Sequence, residues 1–461
     1  MRKINYDWIT IGLFILLTVI GWLAVYTTDY NGSATGNVLN FSRAAGRQFI
    51  WLLVAYMVAF FIQLIDSRIY TKFAQVFYAF AILLLLITLG LGSVISGSKS
   101  WIKLGGSLGF QPSEFAKVAT CLALAAYIGI QRTKRLDIEQ QLSAGFIIMV
   151  PAVLTLLQGD AGSALVFASL SLALYREGMA LQVLLLGLLA ITLFVFSLKL
   201  PFYFGILLIL FVGILFLLIT KQANWRNIAL CLVTMLVVFA IQSGAPEMVA
   251  IIAFGIAATS LTLWSFMRRQ AIWGLMAFML TCSLYTQSVN YVFTNILKPH
   301  QQNRIAVVLG IVEDNRGVGY NVNQSKIAIG SGGLWGKGYL QGTQNKGNFV
   351  PEMHTDFIFC SIGEEFGLVG SVGLITLFVF LFLRLIVIGE RQTSAFSRVY
   401  AYSVTAILFF HFLVNIGMTI GLMPVIGIPL PYISYGGSGL LGFTILLFIL
   451  VKLDSERNAH I

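Results

Sequence analysis

The feature that limits this chain most is the length of its uncharged apolar runs. A bilayer core is crossed by a helix of roughly 17–25 apolar residues, and about fourteen such runs follow one another along the sequence. With 58% hydrophobic residues, 10% charged residues and a mean hydropathy of +0.89, the chain cannot be a soluble globule. The expected fold class is an all-α polytopic membrane protein.

One pair of runs is ambiguous. Around "LLQGDAGSALVFASL" the second run is short, and the two read equally as one interrupted helix. Loop charge decides between them. With two spans there and the N-terminus inside, "DSRIYTK", "QRTKRLDIEQQ", "YREGM", "TKQANWR", "MRRQ", "GERQTSAFSR" and the tail "VKLDSERNAHI" all fall on the cytoplasmic side, and each carries Lys or Arg. Merging the pair would move "TKQANWR" and "MRRQ" outside. Both termini are therefore expected in the cytoplasm. The first run comes after Arg2 and Lys3, has full span length and lacks a small-residue cleavage site, so it reads as a retained helix. The net charge of +11 is then mostly topology and implies no nucleic-acid partner. Cys121, Cys231, Cys282 and Cys360 lie within or beside apolar runs without paired spacing, and the four histidines are scattered. They read as packing residues, with no metal site built from nitrogen and sulfur ligands.

The external side stands out. It carries "GSVISGSKSWIKLGGSLGFQPSEFAK" and the long stretch 291–356, both rich in Gly and polar residues and both read as functional loops. They hold Lys99, Lys103, Lys117, Lys298, Arg304, Arg316, Lys326, Lys337 and Lys346, against the positive-inside trend. In "QPSEFAK" Pro112 suits a helix start and Glu114 its first turn, while Lys117, three residues on, shares a face with Glu114. That pair reads as a structural salt bridge or as a functional group at membrane depth. Asp160 in "QGDAGSALV" faces the same compartment, as a helix cap or a site residue. "HFLVNIG" puts His411 and Asn415 on one face of a span, and "GIPLPYISYGGSGLL" opens the last span with Pro, Ser and Gly. In "PEMHTDFIFCSIGEEFG" an ionisable trio stands at the mouth of an apolar run, and on spacing alone "HTD" reads equally as a cap for that helix.

Six motifs in order, "QPSEFAK", "QGDAGSALV", "NQSKIAIGSGGLWGKGYLQGTQ", "PEMHTDFIFCSIGEEFGLVGS", "NIGM" and "GLMPVIGIPLPYISYGGSG", resemble the successive signatures of the SEDS family (shape, elongation, division and sporulation). "GKGYLQGTQ" is similar to its elongation-type branch rather than to its division-type branch. The resemblance implies a membrane glycosyltransferase that polymerises lipid II into peptidoglycan strands outside the cytoplasmic membrane, beside a class B penicillin-binding protein that cross-links them. It implies Asp356 as the catalytic base, with Lys117, Arg304, Glu114, Asp160, His354, Thr355 and Ser434 binding substrate and its diphosphate. A partly desolvated carboxylate is the stronger base for a sugar hydroxyl. A divalent cation, Mg2+ or Mn2+, is an optional helper at the diphosphate, and the Gly-rich "GSGGLWGKG" is a candidate cradle for phosphate oxygens. Glu364 and Glu365, about two turns into the helix, read as lining or structural residues.

Two departures from the family pattern matter. Gly159 stands where the family usually has Pro before the Asp, which loosens the turn. The family core resembles about ten spans, whereas this chain fits about four more between residues 199 and 290, an even number that preserves the orientation of the later spans. The expected division is a membrane core at 1–198, inserted helices at 199–290 ending in the span before the long loop, a catalytic external loop at 291–356 and a second membrane core at 357–461. The inserted helices are expected to pack peripherally. A competing class is a flippase or transporter of lipid-linked precursor, supported by the many spans and the interrupted helix pair. The gathering of ionisable groups at one face instead of the midplane, without an inverted repeat, counts against it, and a non-catalytic scaffold would need the external carboxylates to be expendable.

Overall fold

The computed structural model describes residues 6–30, 41, 43–95, 98–105, 108–131, 136–199, 282, 285–286, 288–297, 302, 306, 309, 318–347, 349–350, 353–423 and 425–457. Helices α1 (Trp8–Asp29), α2 (Ala44–Leu64), α3 (Ser67–Lys72) and α4 (Ala74–Leu91) precede a small sheet, β1 (Ser93–Ile95), β2 (Ser98–Gly105) and β3 (Leu108–Phe110). Then come α5 (Pro112–Ile130), α6 (Ile138–Leu157), α7 (Ala161–Ala168), α8 (Ser171–Arg176) and α9 (Leu181–Lys199). After a π-helical turn at Val292–Ile296, the chain continues as α10 (Val318–Ser331), α11 (Thr343–Lys346), α12 (Ile358–Glu390), α13 (Ala395–Thr419) and α14 (Gly437–Ser455). Among the described residues nine helices are long and apolar enough to cross a membrane, and α7 with α8 forms a shorter apolar stretch. The chain is a multi-pass, largely helical membrane protein. The apolar runs between residues 200 and 281, like Cys231 within them, lie outside the described residues.

The chain divides into two compact units, Met1–Leu184 with Asp314–Ile461 and Leu185–Glu313. In the second unit, Leu193 and Cys282 are buried together against Leu189 and Tyr285, and the Ser197 hydroxyl donates to the Thr286 carbonyl at 3.1 Å. In the first unit α5, α13 and α14 are the most buried spans, whereas α4 and α6 keep most of their apolar surface outward. Ala116, Ala119, Cys121, Ala123 and Ala125 let neighbouring helices approach α5 closely. Cys121, Cys282 and Cys360 are buried thiols, as their place in apolar runs predicts.

One end of the first unit is tied by ion pairs. Asp7, the N-cap of α1, meets Arg384 and Arg391 of α12 and its following turn, and Asp454 at the end of α14 meets Arg391 and Arg457. Burial alone would raise the Asp7 carboxyl, but hydrogen bonds from Arg384 and Thr10 outweigh it and hold the group well below the usual carboxylate range. Glu177 pairs with Arg398 at 2.8 Å, Arg176 with Glu390 at 2.6 Å, and the Ser67 amide donates to Glu456 at 3.1 Å. The basic loops at 66–72, 175–179 and 389–398 and the tail therefore gather at one end, as loop charge predicts.

The opposite end holds the sheet, the start of α7 and the start of α12. Residues 93–110, expected as an unstructured loop, form a three-stranded antiparallel meander, β1-β2-β3, pairing Ser93 with Trp101 and Ile102 with Phe110. Gly105 pairs with Leu108, and the "GGS" sequence between strand-like flanks is the hairpin signal that marks it. The Lys99 amide donates to the Gln158 carbonyl at 2.7 Å, which anchors the meander to the end of α6. Gly159 comes next at φ +81°, a conformation closed to proline.

Candidate functional site

Pro112 opens α5 and Glu114 lies in its first turn, as their residue types dictate. Three residues on, Lys117 Nζ donates to Glu114 Oε1 at 2.7 Å and lies 3.0 Å from His411 Nε2. The ammonium also lies over the Phe443 ring, 5.2 Å from its centroid. Lys117 is 1% exposed and Glu114 5%. This is a buried, partnered ion pair, and Lys117 reaches no open surface in this conformation. Glu114 Oε2 has no hydrogen-bond partner among the described residues.

The wall opposite α5 is not helical. Residues 425–430 are irregular and 431–435 turn before α14 starts at Gly437, so of the stretch expected to open the last span only Gly437–Leu441 lies in the helix and residues 427–436 lie before it. Irregular backbone at membrane depth survives only when protein satisfies its amides and carbonyls. Asn415 donates to the Ile428 carbonyl at 2.7 Å, and His411 Nδ1 lies 3.1 Å from the Pro429 carbonyl. Ser434 Oγ accepts from the Leu430 amide at 2.8 Å, and Gln48 Oε1 accepts from the Gly436 amide at 3.3 Å. Ser434 is thus buried and holds its own turn.

Asp356 stands at the edge of this wall. Asn415 donates a second N–H to its backbone carbonyl at 2.8 Å. Its Oδ2 lies 3.4 Å from where a side chain on Gly427 would begin, and Gly427 has φ +73°. Asp356, Thr355 and His354 are half-buried in a turn, and Phe357, not Asp356, holds the N-cap position of α12, without a side-chain cap. His354 gives its carbonyl to the Tyr435 amide at 2.9 Å, and the two rings lie 5.4 Å apart. Asp160 does cap its helix, accepting from the Ser163 amide at 2.9 Å, and it also accepts from Gln111 Nε2 at 3.1 Å, which links it to the start of α5. Arg304 lies outside the described residues.

The Gly-rich run is not an open cradle. Helix α12 breaks at Gly367, where φ is +62° and ψ −156°. Residues 333–338 splice into the break: Lys337 and Gly338 amides donate to Glu364 and Glu365 carbonyls, each at 3.0 Å, and Leu368 and Val369 amides donate to Gly333 and Leu334 carbonyls at 2.9 and 3.1 Å. Of the amides expected for phosphate oxygens, those of Lys337 and Gly338 are committed to helix backbone, and those of Gly332, Gly333 and Gly336 bond the Ile329, Gly330 and Gly332 carbonyls. Glu364, fully buried, accepts from Lys337 Nζ and the Thr343 amide at 2.7 Å and from the Gln344 amide at 2.9 Å, which makes it structural. A side chain on Gly336, at φ +80°, would overlap the Glu365 carbonyl. Gly336→Ala is therefore expected to destabilise the protein by at least about 2 kcal/mol, seen as a lowered melting temperature in detergent. An unchanged melting temperature would show that the splice does not hold the loop.

The structure thus joins Glu114 and Lys117 through His411 and Asn415 to Asp356, sets His354 and Ser434 on the same wall, and links Asp160 to α5. Sequence reasoning placed His411 and Asn415 on one helix face but did not see that they hold a buried irregular segment. The missed signal was the coincidence of two polar residues in a span with a nearby Gly- and Pro-broken apolar stretch. Gln48, Gln111 and Gly427 were missed altogether.

These features define a multi-pass membrane protein with a polar site at one end, and known proteins share them. The family described as cell cycle protein, comprising FtsW, RodA and SpoVE, matches residues 7–204 and 203–459. The peptidoglycan glycosyltransferase RodA of Treponema pallidum is 30% identical over 458 residues, covering 98% of each chain. The peptidoglycan glycosyltransferase MrdB of Escherichia coli is 30% identical over 446 residues, covering 97% of this chain and 93% of its own. A chain in the structure of a peptidoglycan synthase complex that coordinates polymerization and crosslinking superposes with a TM-score of 0.64 at 24% identity, over 98% of both chains, and shares the fold. The chain belongs to the SEDS family of peptidoglycan glycosyltransferases, as its six motifs predict.

Proposed function

We propose that the chain polymerises lipid II into glycan strands at the outer face of the cytoplasmic membrane during elongation, releasing undecaprenyl diphosphate. The observation that carries this reading is the Asn415 bond to the Asp356 backbone, one helical turn from the His411 contact with Lys117. It brings a carboxylate and a cation, the two groups sugar transfer needs, onto one scaffold. The acceptor hydroxyl oxygen bonds the donor's anomeric carbon, the bond to diphosphate breaks with its electron pair, and Asp356 takes the hydroxyl proton. Lys117 and Arg304 stabilise the departing diphosphate. Because Lys117 is buried and paired, it acts here through its field across a low-dielectric wall and not by a direct bond. Glu114 and Asp160 hold the start of α5, and His354, Thr355 and Ser434 shape the mouth. A divalent cation, Mg2+ or Mn2+, held between carboxylates and the substrate's own diphosphate, would add to the charge stabilisation of the leaving group, and no step here is routed through it.

The partner proposed is a class B penicillin-binding protein, by analogy with the related chain found in a polymerising and crosslinking complex. The topology proposed has about fourteen spans, a family-like core of ten plus four between residues 199 and 290, with both termini cytoplasmic and Asp356 outside. The gathering of basic loops at one end of the first unit supports it. Cysteines placed at Ser331 and Asn345 are expected to react with membrane-impermeant maleimide in intact spheroplasts, and one at Ser394 is not. The reverse pattern would overturn both orientation and mechanism. The reading itself is tested with purified protein and fluorescent lipid II in detergent, where flipping has no meaning: glycan ladders support it, and their absence with a functional partner present removes it.

A further inference from the structure

We propose that His411 is a positioning residue that fixes Lys117 relative to Asp356; this rests on the roles just given to those two residues. The Pro429 carbonyl can only accept, so His411 Nδ1 carries the hydrogen and donates to it at 3.1 Å. Nε2 then presents its lone pair, which accepts from Lys117 Nζ at 3.0 Å. The neutral ring is a bridge with one donor and one acceptor, each used. Lys117 has three N–H directions, and Glu114, His411 and the face of Phe443 define the ammonium's surroundings. Phe443 also packs edge-on against the His411 ring at 4.8 Å, so one aromatic side chain supports both.

The other end of the same helix face carries the second bridge. Asn415 lies one turn from His411, about 6 Å along α13, and binds the Ile428 and Asp356 carbonyls. His411 and Asn415 therefore grip adjacent residues of one irregular segment, Pro429 and Ile428. Through it α13 sets the spacing between the cation and the catalytic residue. Helix α5 alone cannot do this, because Glu114 and Lys117 share that helix and would shift together. Loss of the His411 grip on Pro429 frees the wall that shares Asn415 with Asp356, and a shift of roughly 1 Å at Asp356, the reacting group, costs about a hundredfold in rate.

The test compares His411→Gln with His411→Asn in the full-length protein, with polymerisation of lipid II and melting in detergent both measured. Glutamine can place an amide N–H on Pro429 and an amide oxygen on Lys117, whereas asparagine, one methylene shorter, cannot span both. His411→Gln is expected to keep much of the wild-type rate, and His411→Asn to lose about a hundredfold in kcat with KM for lipid II little changed. Equal rates for the two, or a loss carried by KM, would overturn the proposal. His411→Phe fills the volume without either bond and serves if the Asn variant does not fold: it is expected to be as slow as predicted for Asn, and wild-type turnover by it would overturn the proposal. Asp356→Asn run alongside separates the two layers. If it polymerises, the assignment of the base fails; if it is inactive while Gln and Asn at 411 behave alike, only the role of His411 falls.

Discussion

Asp356→Asn is expected to lower polymerisation by about 10²–10⁴-fold, the usual contribution of a positioned general base, while leaving expression and insertion intact. Asparagine keeps the size of the side chain, and the bond from Asn415 goes to the backbone carbonyl of residue 356, which the substitution does not alter. The turn at 353–357 also has backbone anchors that the substitution leaves in place, the Asn415 bond to the Asp356 carbonyl and the Tyr435 amide bond to the His354 carbonyl. What is lost is the capacity to take the hydroxyl proton. Wild-type glycan ladders from the purified variant would remove Asp356 from the chemistry.

The second large effect concerns the buried pair. Lys117→Ala leaves the Glu114 carboxylate in a site 5% exposed without its cation, which is expected to cost about 3–5 kcal/mol of stability as well as activity. Lys117→Arg keeps a charge opposite Glu114 and a donor toward His411, and it is expected to fold and retain part of the activity. Replacing both partners, Glu114→Leu with Lys117→Met, removes the unpaired charge and is expected to recover most of the stability with no recovery of polymerisation. Recovered activity in the double variant would make the pair purely structural. An arginine variant that folds well but is as inactive as alanine would point to geometry or proton transfer instead of charge.

Run length and loop charge carried the sequence a long way. The nine long helices among the described residues fall on expected runs, the Pro112 and Glu114 helix start is where residue type puts it, and the basic loops share one end. Short-range chemistry was legible because Glu114 and Lys117 are three residues apart, so helix geometry alone brings them together. The splice at Gly367 was not legible. Glycines that permit close approach look the same in sequence whether the partner is a phosphate or another stretch of backbone, and here Gly336 meets the Glu365 carbonyl. The same holds for residues 425–436, whose Ile428 and Pro429 carbonyls are satisfied by Asn415 and His411 from the preceding helix. That pairing depends on how the chain folds back across the bundle, which no local pattern encodes. The sheet at 93–110 was missed because its outer strands are only three residues long.

The central claim is that one site, holding Asp356 and Lys117, transfers the sugar. Release of undecaprenyl diphosphate from lipid II tests it most directly, measured alongside strand length for wild type and Asp356→Asn purified side by side with the same partner. The account predicts one diphosphate released for each disaccharide added by wild type and almost none by the variant. Equal release from both, or strand growth in the variant, would contradict it.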